Sequence, residues 1–193
     1  MYITIEGIDT AGKSTQIEAL KKLFTDAIFV KEPGETEIGN KIRSIILDDG
    51  VESSRAETLL FLADRALLVD RVIKPNIQKL IISDRSAVSG IAYSLASYDF
   101  DTVELVELNR FATDNILPDL CIVLKLEPSE LSLRLQSRPT DKIESRGEKY
   151  LLNIQKNLFR ASELLGIQTV SIDASLPMKN ITQTIGNIIK GES

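Results

Sequence analysis

Eight residues near the N-terminus, Gly7-Ile8-Asp9-Thr10-Ala11-Gly12-Lys13-Ser14, constrain this chain more than any others. They carry the spacing G-x-x-x-x-G-K-S, follow directly on the apolar run Tyr2–Glu6 and open a helical pattern. Gly7 and Gly12 permit backbone conformations that turn the loop amides inward as a nest for phosphate oxygens. The helix that follows adds its positive N-terminal end. In such a loop Lys13 reaches the β- and γ-phosphates of a nucleotide, and the Ser14 hydroxyl ligates Mg²⁺. Residues 7–15 (Ile8, Asp9, Thr10, Ala11 and Thr15 together with the signature residues) are therefore the candidate ATP-binding segment.

The rest of the chain has the rhythm that such a loop requires. Short apolar runs at Tyr2–Glu6, Ala27–Lys31, Leu80–Ser83, Leu120–Leu126 and Gln168–Ile172 read as strands. They are continuous rather than alternating, as in strands covered on both faces. Helical periodicity falls near 13–24, 36–48, 54–78, 86–97, 101–115, 128–137, 147–165 and 177–190, with Pro75 placed to kink or end the third of these. Strand–helix alternation predicts an α/β fold, a three-layer α/β/α sandwich around a five-stranded parallel sheet. With no internal repeat or composition break, one domain is expected over 1–193, with a short lid about 137–148. In such sheets the ligand sits beyond the carboxyl ends of the strands, so the residues just after each strand carry most information.

Composition narrows the chemistry. The 193 residues include no histidine, which removes Ser-His and Cys-His catalysis and His-ligated metals. Phosphoryl transfer needs none of these, because it runs on positioning and charge neutralisation. A net charge of −5 argues against nucleic acid as the main partner. No run approaches the ~18 apolar residues of a membrane span. The first residues lack a basic region and reach Glu6 early, so no signal peptide is expected. The lone cysteine, Cys121, lies in an apolar run and has no internal partner for a disulfide. A cytoplasmic protein is the expectation.

Beyond the other strands lie Lys31-Glu32-Pro33-Gly34-Glu35-Thr36 and Asp84-Arg85-Ser86, and the third helix carries Phe61, Asp64 and Arg65. Phe61 and Arg65 are four apart and share a helical face. A Phe beside an Arg can stack on and hydrogen-bond a base, while Arg85 clamps a phosphate bidentately. Taken singly, Phe61 also reads as core, Asp64 and Arg65 as a solvated face, and Asp84-Arg85 as a surface pair.

At this point a family resemblance becomes specific. The stretch from Ile5 to Gln16 resembles the phosphate loop of thymidylate kinases. Lys31-Glu32-Pro33-Gly34 is similar to their R-E-P-G turn, and Leu60-Phe61-Leu62-Ala63-Asp64-Arg65 to their L-F-x-A-D/x-R helix. Asp84-Arg85-Ser86, Ser89, Ala92 and Tyr93 resemble their D-R-Y-x-x-S-x-x-A-Y segment, and Asp141-Lys142-Ile143-Glu144 stands where the lid has D-R-x-E. The matches run in order along nearly the whole chain.

The resemblance implies transfer of the γ-phosphoryl of ATP to dTMP, giving dTDP and ADP on the route to dTTP, with Mg²⁺. It implies that Asp9 holds the acceptor sugar's 3′-hydroxyl close to the metal, and that Glu32 and Pro33 border the acceptor. Phe61 stacks on thymine and Arg65 meets a thymine carbonyl. Arg85 binds the acceptor phosphate with Arg43 in reach, Ser89 lines the site, Asp84 lies near the Mg²⁺ shell, and Tyr93 disfavours a ribose 2′-hydroxyl. A homodimer is also implied, and 55–75 with 86–115 supplies apolar helical face for one. The acceptor is a phosphate monoester with a second pKa near ~6, so it needs no general base.

The segment 133–147 packs Arg134, Arg138, Lys142 and Arg146 into thirteen residues, and Pro139 and Gly147 bracket the part expected to move. Beside a phosphate loop it reads as a lid that delivers a cation to the transferring phosphoryl. Some family members place an Arg in the loop; here Asp9-Thr10-Ala11 has none, so the cation is expected from the lid and assigned to Arg138. The chain departs from the family at Arg138-Pro139-Thr140-Asp141-Lys142 (commonly R-G-x-L-D-R), at Lys31, Glu35 and Ser86, and at Gly90 and Ile91, where an amide side chain often contacts the base. Two other readings stay open from sequence. A deoxynucleoside kinase would need a carboxylate base near a 5′-hydroxyl. A regulatory switch of the GTPase kind would be expected to carry N-K-x-D, which is absent.

Overall fold

The computed structural model describes residues 1–136 and 147–191. Five strands, β1 (Tyr2–Glu6), β2 (Ile28–Lys31), β3 (Ile81–Asp84), β4 (Leu120–Lys125) and β5 (Gln168–Asp173), form one sheet in the order β2-β3-β1-β4-β5. All four pairings are parallel. The described helices are α1 (Lys13–Leu23), α2 (Glu37–Ser44), α3 (Ser54–Leu68), α4 (Ala87–Ser97), α5 (Thr102–Ala112), α6 (Pro128–Gln136), α7 (Glu148–Leu165) and α8 (Met178–Lys190). This is the predicted three-layer α/β/α fold, with each strand within about a residue of its expected span.

Strand β1 owes its central place to burial: all five of its residues are buried. Its period of two sends Ile3 and Ile5 into the larger core, with Ile82, Ile122 and Leu124. Tyr2 turns to the opposite side, into a smaller cluster with Val30, Leu68, Val69, Ile73 and Ile81. Thr4 and Glu6 share that second side, so the strand carries a fully buried carboxylate to its C-terminal end. The chain crosses β1 in passing from β3 to β4, which opens a crevice beyond the end of β1.

Helices differ from the sequence expectation where local chemistry intervenes. The helix expected over 54–78 is α-helical only to Leu68; a wider π-helical turn follows at Val69–Ile73 and a 3₁₀ turn at Lys74–Asn76. Pro75 has no N–H, and its ring crowds the carbonyl four residues back, so an α-helical repeat cannot run through it. The helix expected over 36–48 similarly ends at Ser44 and widens over Ile45–Asp49, where Gly50, at φ 83°, turns the chain away. Helix α5 stops at Ala112, and Asp114 and Asn115 then adopt φ of 50° and 58°, the left-handed conformation that Asn and Asp tolerate best. None of the described helices is long and apolar enough to cross a membrane.

Candidate active site

The phosphate loop follows β1 without a spacer. Gly7 lies where an added Cβ would stand 3.0 Å from the Leu124 carbonyl of β4 and 3.1 Å from Ala11 Cβ, so only glycine lets the loop pass this close to the sheet. Thr10 and Gly12 hold φ of 71° and 88°, and Gly12 is the residue from which α1 starts. A threonine at positive φ is backbone strain of the kind that gathers at ligand sites. Ile8 and Ala11 point into the core, so only their backbones are available to a ligand, and the Ala11 N–H already donates to Ile8 O at 3.2 Å. Ser14 and Thr15 are exposed at the first turn of α1.

Lys13 is buried and folds back over its own loop. Its ammonium donates to Gly7 O at 2.8 Å and Ile8 O at 3.0 Å, with Asp9 Oδ1 at 3.8 Å. Burial lowers its pKa to about 8, Arg85 adds to the effect, and Asp9, Asp84 and Glu6 oppose it.

Across the crevice β3 ends in Asp84-Arg85, and Arg85 also holds a positive φ, 72°. Its Nη2 donates to Asp9 Oδ1 at 2.7 Å and its Nη1 to Ser89 Oγ at 3.1 Å. The guanidinium lies 5.1 Å from the centroid of the Tyr93 ring. Behind it, Glu6 accepts from three hydroxyls: Thr4 at 3.1 Å, Ser86 at 2.8 Å and Ser89 at 2.5 Å. Burial raises the Glu6 pKa, and the Ser89 and Ser86 hydroxyls and the Arg85 charge partly offset it. Ser89, expected to line the site, does so with its hydroxyl already shared between Glu6 and Arg85.

Asp9, Arg85, Ser89 and Tyr93 form one end of a cavity of about 620 Å³. Its other walls bring in Glu32 and Arg43 from the β2 side, Phe61 and Arg65 from α3, and Gly90 from α4. The sequence-derived acceptor residues thus converge, with one exception: Pro33 is not among the described residues that line the cavity. Instead its carbonyl accepts from Arg43 Nη1 at 3.0 Å. Asp64 and Arg65, which singly also read as a solvated face, are 2% and 3% exposed. The Asp64 carboxylate accepts the Gly34 N–H at 3.1 Å and ties the Glu32-Pro33-Gly34 turn to α3, while burial lifts its pKa to about 6.

Among the described residues, the buried side-chain polar atoms with no hydrogen-bond partner are Thr10 Oγ1, Asp84 Oδ1 and Tyr93 Oη. Buried polar atoms are normally satisfied. All three lie on segments that border the crevice: the loop, the end of β3 and the cavity face of α4. Unpartnered polar atoms thus gather around the crevice beside the loop, where a ligand could satisfy them.

A family model described as thymidylate kinase matches residues 5–185. The chain belongs to the thymidylate kinase family. It is 54% identical over 189 residues to "Thymidylate kinase" of Sulfurimonas denitrificans, covering 98% of this chain and 99% of that protein. To "Thymidylate kinase" of Aliarcobacter butzleri it is 50% identical over 189 residues, covering 98% of each. To "Thymidylate kinase" of Wolinella succinogenes it is 48% identical over 193 residues, covering 99% of this chain and all of that protein. Thymidylate kinases are ATP-dependent nucleoside monophosphate kinases, and this member of the family is an enzyme of that type.

Two residues of the site drew no functional reading from the sequence alone, and a third drew a different one. Glu6 left one signal, a charge closing an apolar strand. Asn109 of α5 left none: it is a polar residue inside a helix, yet its Oδ1 accepts from Arg65 Nη1 at 2.7 Å. Arg134, counted only among the lid cations, stands on α6 and joins two loops, donating to Thr10 O at 2.9 Å and Ala174 O at 2.7 Å. Arg138, Asp141, Lys142, Glu144 and Arg146 lie outside the described residues.

Proposed function

We propose that the cavity between α3 and α4 binds dTMP, that residues 7–15 bind ATP, and that the γ-phosphoryl passes between them in dTDP synthesis by one cytoplasmic kinase domain, residues 1–193. The observation that carries this reading is the set of unsatisfied buried atoms, Thr10 Oγ1, Asp84 Oδ1 and Tyr93 Oη, bordering the crevice where the two nucleotides would meet. An oxygen of the acceptor phosphate forms the new P–O bond. The bond from the γ-phosphorus to the β–γ bridging oxygen breaks, and ADP leaves with that electron pair.

Arg85 presents a fork to the acceptor phosphate, and the Asp9 carboxylate at 2.7 Å and the Ser89 hydroxyl at 3.1 Å hold it in place. Arg43 approaches the same phosphate from α2. Asp9 meets the sugar 3′-hydroxyl, and Tyr93 packs against the sugar edge and leaves no room for a 2′-hydroxyl. Phe61 stacks on the base, Arg65 donates to a base carbonyl, and Glu32 and Pro33 fix the adjoining turn. Lys13 moves from the loop carbonyls to the β- and γ-phosphates. Since the acceptor phosphate is largely ionised at neutral pH, no residue need remove a proton.

The residues present fit a Mg²⁺ ion carried in with ATP. Asp84 offers a buried, unpartnered carboxylate oxygen, and Ser14 an exposed hydroxyl at the end of the loop, in the first turn of α1. Asp9 stands beside them with Oδ1 shared by Arg85 and Lys13. Among the described residues no group of three or more His, Cys, Asp or Glu could hold a metal alone; Mg²⁺ commonly uses one or two carboxylates with substrate phosphates and water. Once bound, the ion would neutralise charge on the β- and γ-phosphate oxygens.

Assay of dTMP, dUMP, CMP and thymidine side by side tests the assignment. Transfer to dTMP well above the other three is expected, and phosphorylation of thymidine but not dTMP would overturn it. For the lid, Arg138→Ala should lower kcat by about 10³-fold with dTMP affinity little changed, because its contact forms chiefly in the transition state. Steady-state kinetics of Arg138→Ala, Arg134→Ala and Arg146→Ala separate the candidates. If the kcat loss falls on Arg134 or Arg146 instead, Arg138 is not the catalytic cation. A homodimer is proposed from the apolar side chains that α3 and α5 leave in solvent, Leu59, Val103 and Phe111, the last 86% exposed. Sedimentation should then give twice the 21.4 kDa chain mass; a monomer at micromolar concentration rules it out.

A further inference from the structure

We infer that Gly90 and Asn109 set this enzyme's choice of base by locking the Arg65 guanidinium in one orientation with an Nη1 donor left for the substrate. The inference rests on the acceptor reading above and assigns the reason for its base preference.

Arg65 has five N–H donors in a planar fork. Nε donates to Glu32 Oε2 at 2.8 Å, and Nη2 lies 2.7 Å from the same oxygen and donates to Ser86 O at 3.3 Å. Nη1 donates to Asn109 Oδ1 at 2.7 Å. Three donors are thereby hydrogen-bonded to partners from three other segments, and Nη2 also faces Glu32 as an ion pair, so among the described contacts Nη1 keeps one hydrogen without a partner. Asn109 is itself fixed, since its Nδ2 donates to Leu105 O at 2.7 Å within α5. Nothing in this cage can turn without losing several bonds, and the guanidinium is almost wholly buried.

Gly90 supplies the space. A Cβ at that position would stand 2.8 Å from Arg65 Nη2 and 2.9 Å from Nη1, closer than real Cβ contacts come. The end of an arginine usually yields to such a clash at little cost. Here Glu32, Asn109 and Ser86 hold it, so any side chain at 90 displaces Arg65 from its cage. The fork lies flush on the backbone of α4 because that backbone is bare. Both residues are positioning residues: they act on the substrate through Arg65.

The consequence is chemical selectivity. Arg65 lines the cavity, and a guanidinium held rigid there offers only N–H donors, which match a base carbonyl and oppose a base amino group. It favours thymine, which carries O4, over cytosine, which carries an amino group at C4. A mobile guanidinium could turn aside and tolerate either. A fixed polar partner discriminates strongly because a mismatch leaves buried groups unpaired.

The test compares kcat/KM for dTMP and dCMP in the wild type, Gly90→Ala and Asn109→Ala. The dTMP/dCMP ratio does not depend on the fraction of enzyme folded, so a purely structural role would leave it unchanged. Both variants are expected to lower the ratio by about tenfold or more, the worth of a charge-assisted hydrogen bond. Should Asn109→Ala not fold, Gly90→Ala decides. The inference is overturned if Gly90→Ala keeps the wild-type ratio within about twofold, or if a folded Asn109→Ala does so. A wild-type enzyme that uses dCMP as well as dTMP would instead defeat the acceptor assignment itself.

Discussion

Lys13→Ala should cut phosphoryl transfer by about 10³-fold or more while the protein still folds. In the proposed complex Lys13 is the loop's only side-chain cation on the transferring group, and charge neutralisation accounts for most of the catalysis in this chemistry. The fold should survive because Lys13 contributes little to the core: its ammonium bonds two loop carbonyls at 2.8 and 3.0 Å and pays for burial with a depressed pKa. Steady-state kinetics together with a thermal melt check both halves; near-normal turnover would remove Lys13 from the mechanism.

The same residue gives ATP binding a pH dependence. Its pKa in the free protein is about 8, and the bound phosphates would raise it. Binding therefore favours the protonated form. Affinity should be at full strength below about pH 8 and weaken as pH rises through that value, by up to tenfold per unit. Calorimetric titrations at pH 7 and pH 9 read the effect. In Lys13→Ala the dependence should vanish in this window.

Arg85→Ala should be as damaging, with kcat/KM for dTMP lowered by about 10²–10⁴-fold. Two charge-assisted hydrogen bonds to the acceptor phosphate would be lost, each worth about 1.5–3 kcal/mol. The substitution also strands its neighbours: Asp9 loses the guanidinium at 2.7 Å, and the Glu6–Ser89 pair loses the group it braces. Arg85→Lys should recover little, because a single ammonium cannot span Asp9, Ser89 and a phosphate together. Burial works against the Arg85 charge, but Tyr93, Asp9, Glu6 and Asp84 outweigh it, so the wild-type guanidinium stays cationic across the working pH range. A dTMP KM and kcat within about threefold of wild type in Arg85→Ala would place the acceptor phosphate elsewhere.

Much of this protein is legible along its chain. The loop from Gly7 to Ser14 fixed a strand before it and a helix after it. Continuous apolar runs separated by helical periodicity then fixed a parallel sheet, because only strands covered on both faces can dispense with polar alternation. Some residues that line the cavity could also be picked out, since ligands collect at strand ends and Glu32 and Arg85 stand there. Helix ends were less legible: whether a helix stops, widens or tightens near Pro75 or Gly50 depends on what its last turn packs against.

Tertiary structure alone decided who meets whom. The order β2-β3-β1-β4-β5 sets β3 beside β1, and this brings Ser86 and Ser89 onto Glu6 across 80 and 83 residues of sequence. It likewise brings α5 against α3, so that Asn109 reaches Arg65 across 44 residues. Hydrophobic periodicity reports which face of an element is buried, and nothing about which distant face will cover it. The sequence by itself therefore determined the chemistry on offer, a phosphate loop with carboxylates and arginines at the strand ends and no histidine. The cage around Arg65, the bare backbone at Gly90 and the carboxylate behind Arg85 came into being only when the sheet closed, because each is a contact between elements that no local signal couples.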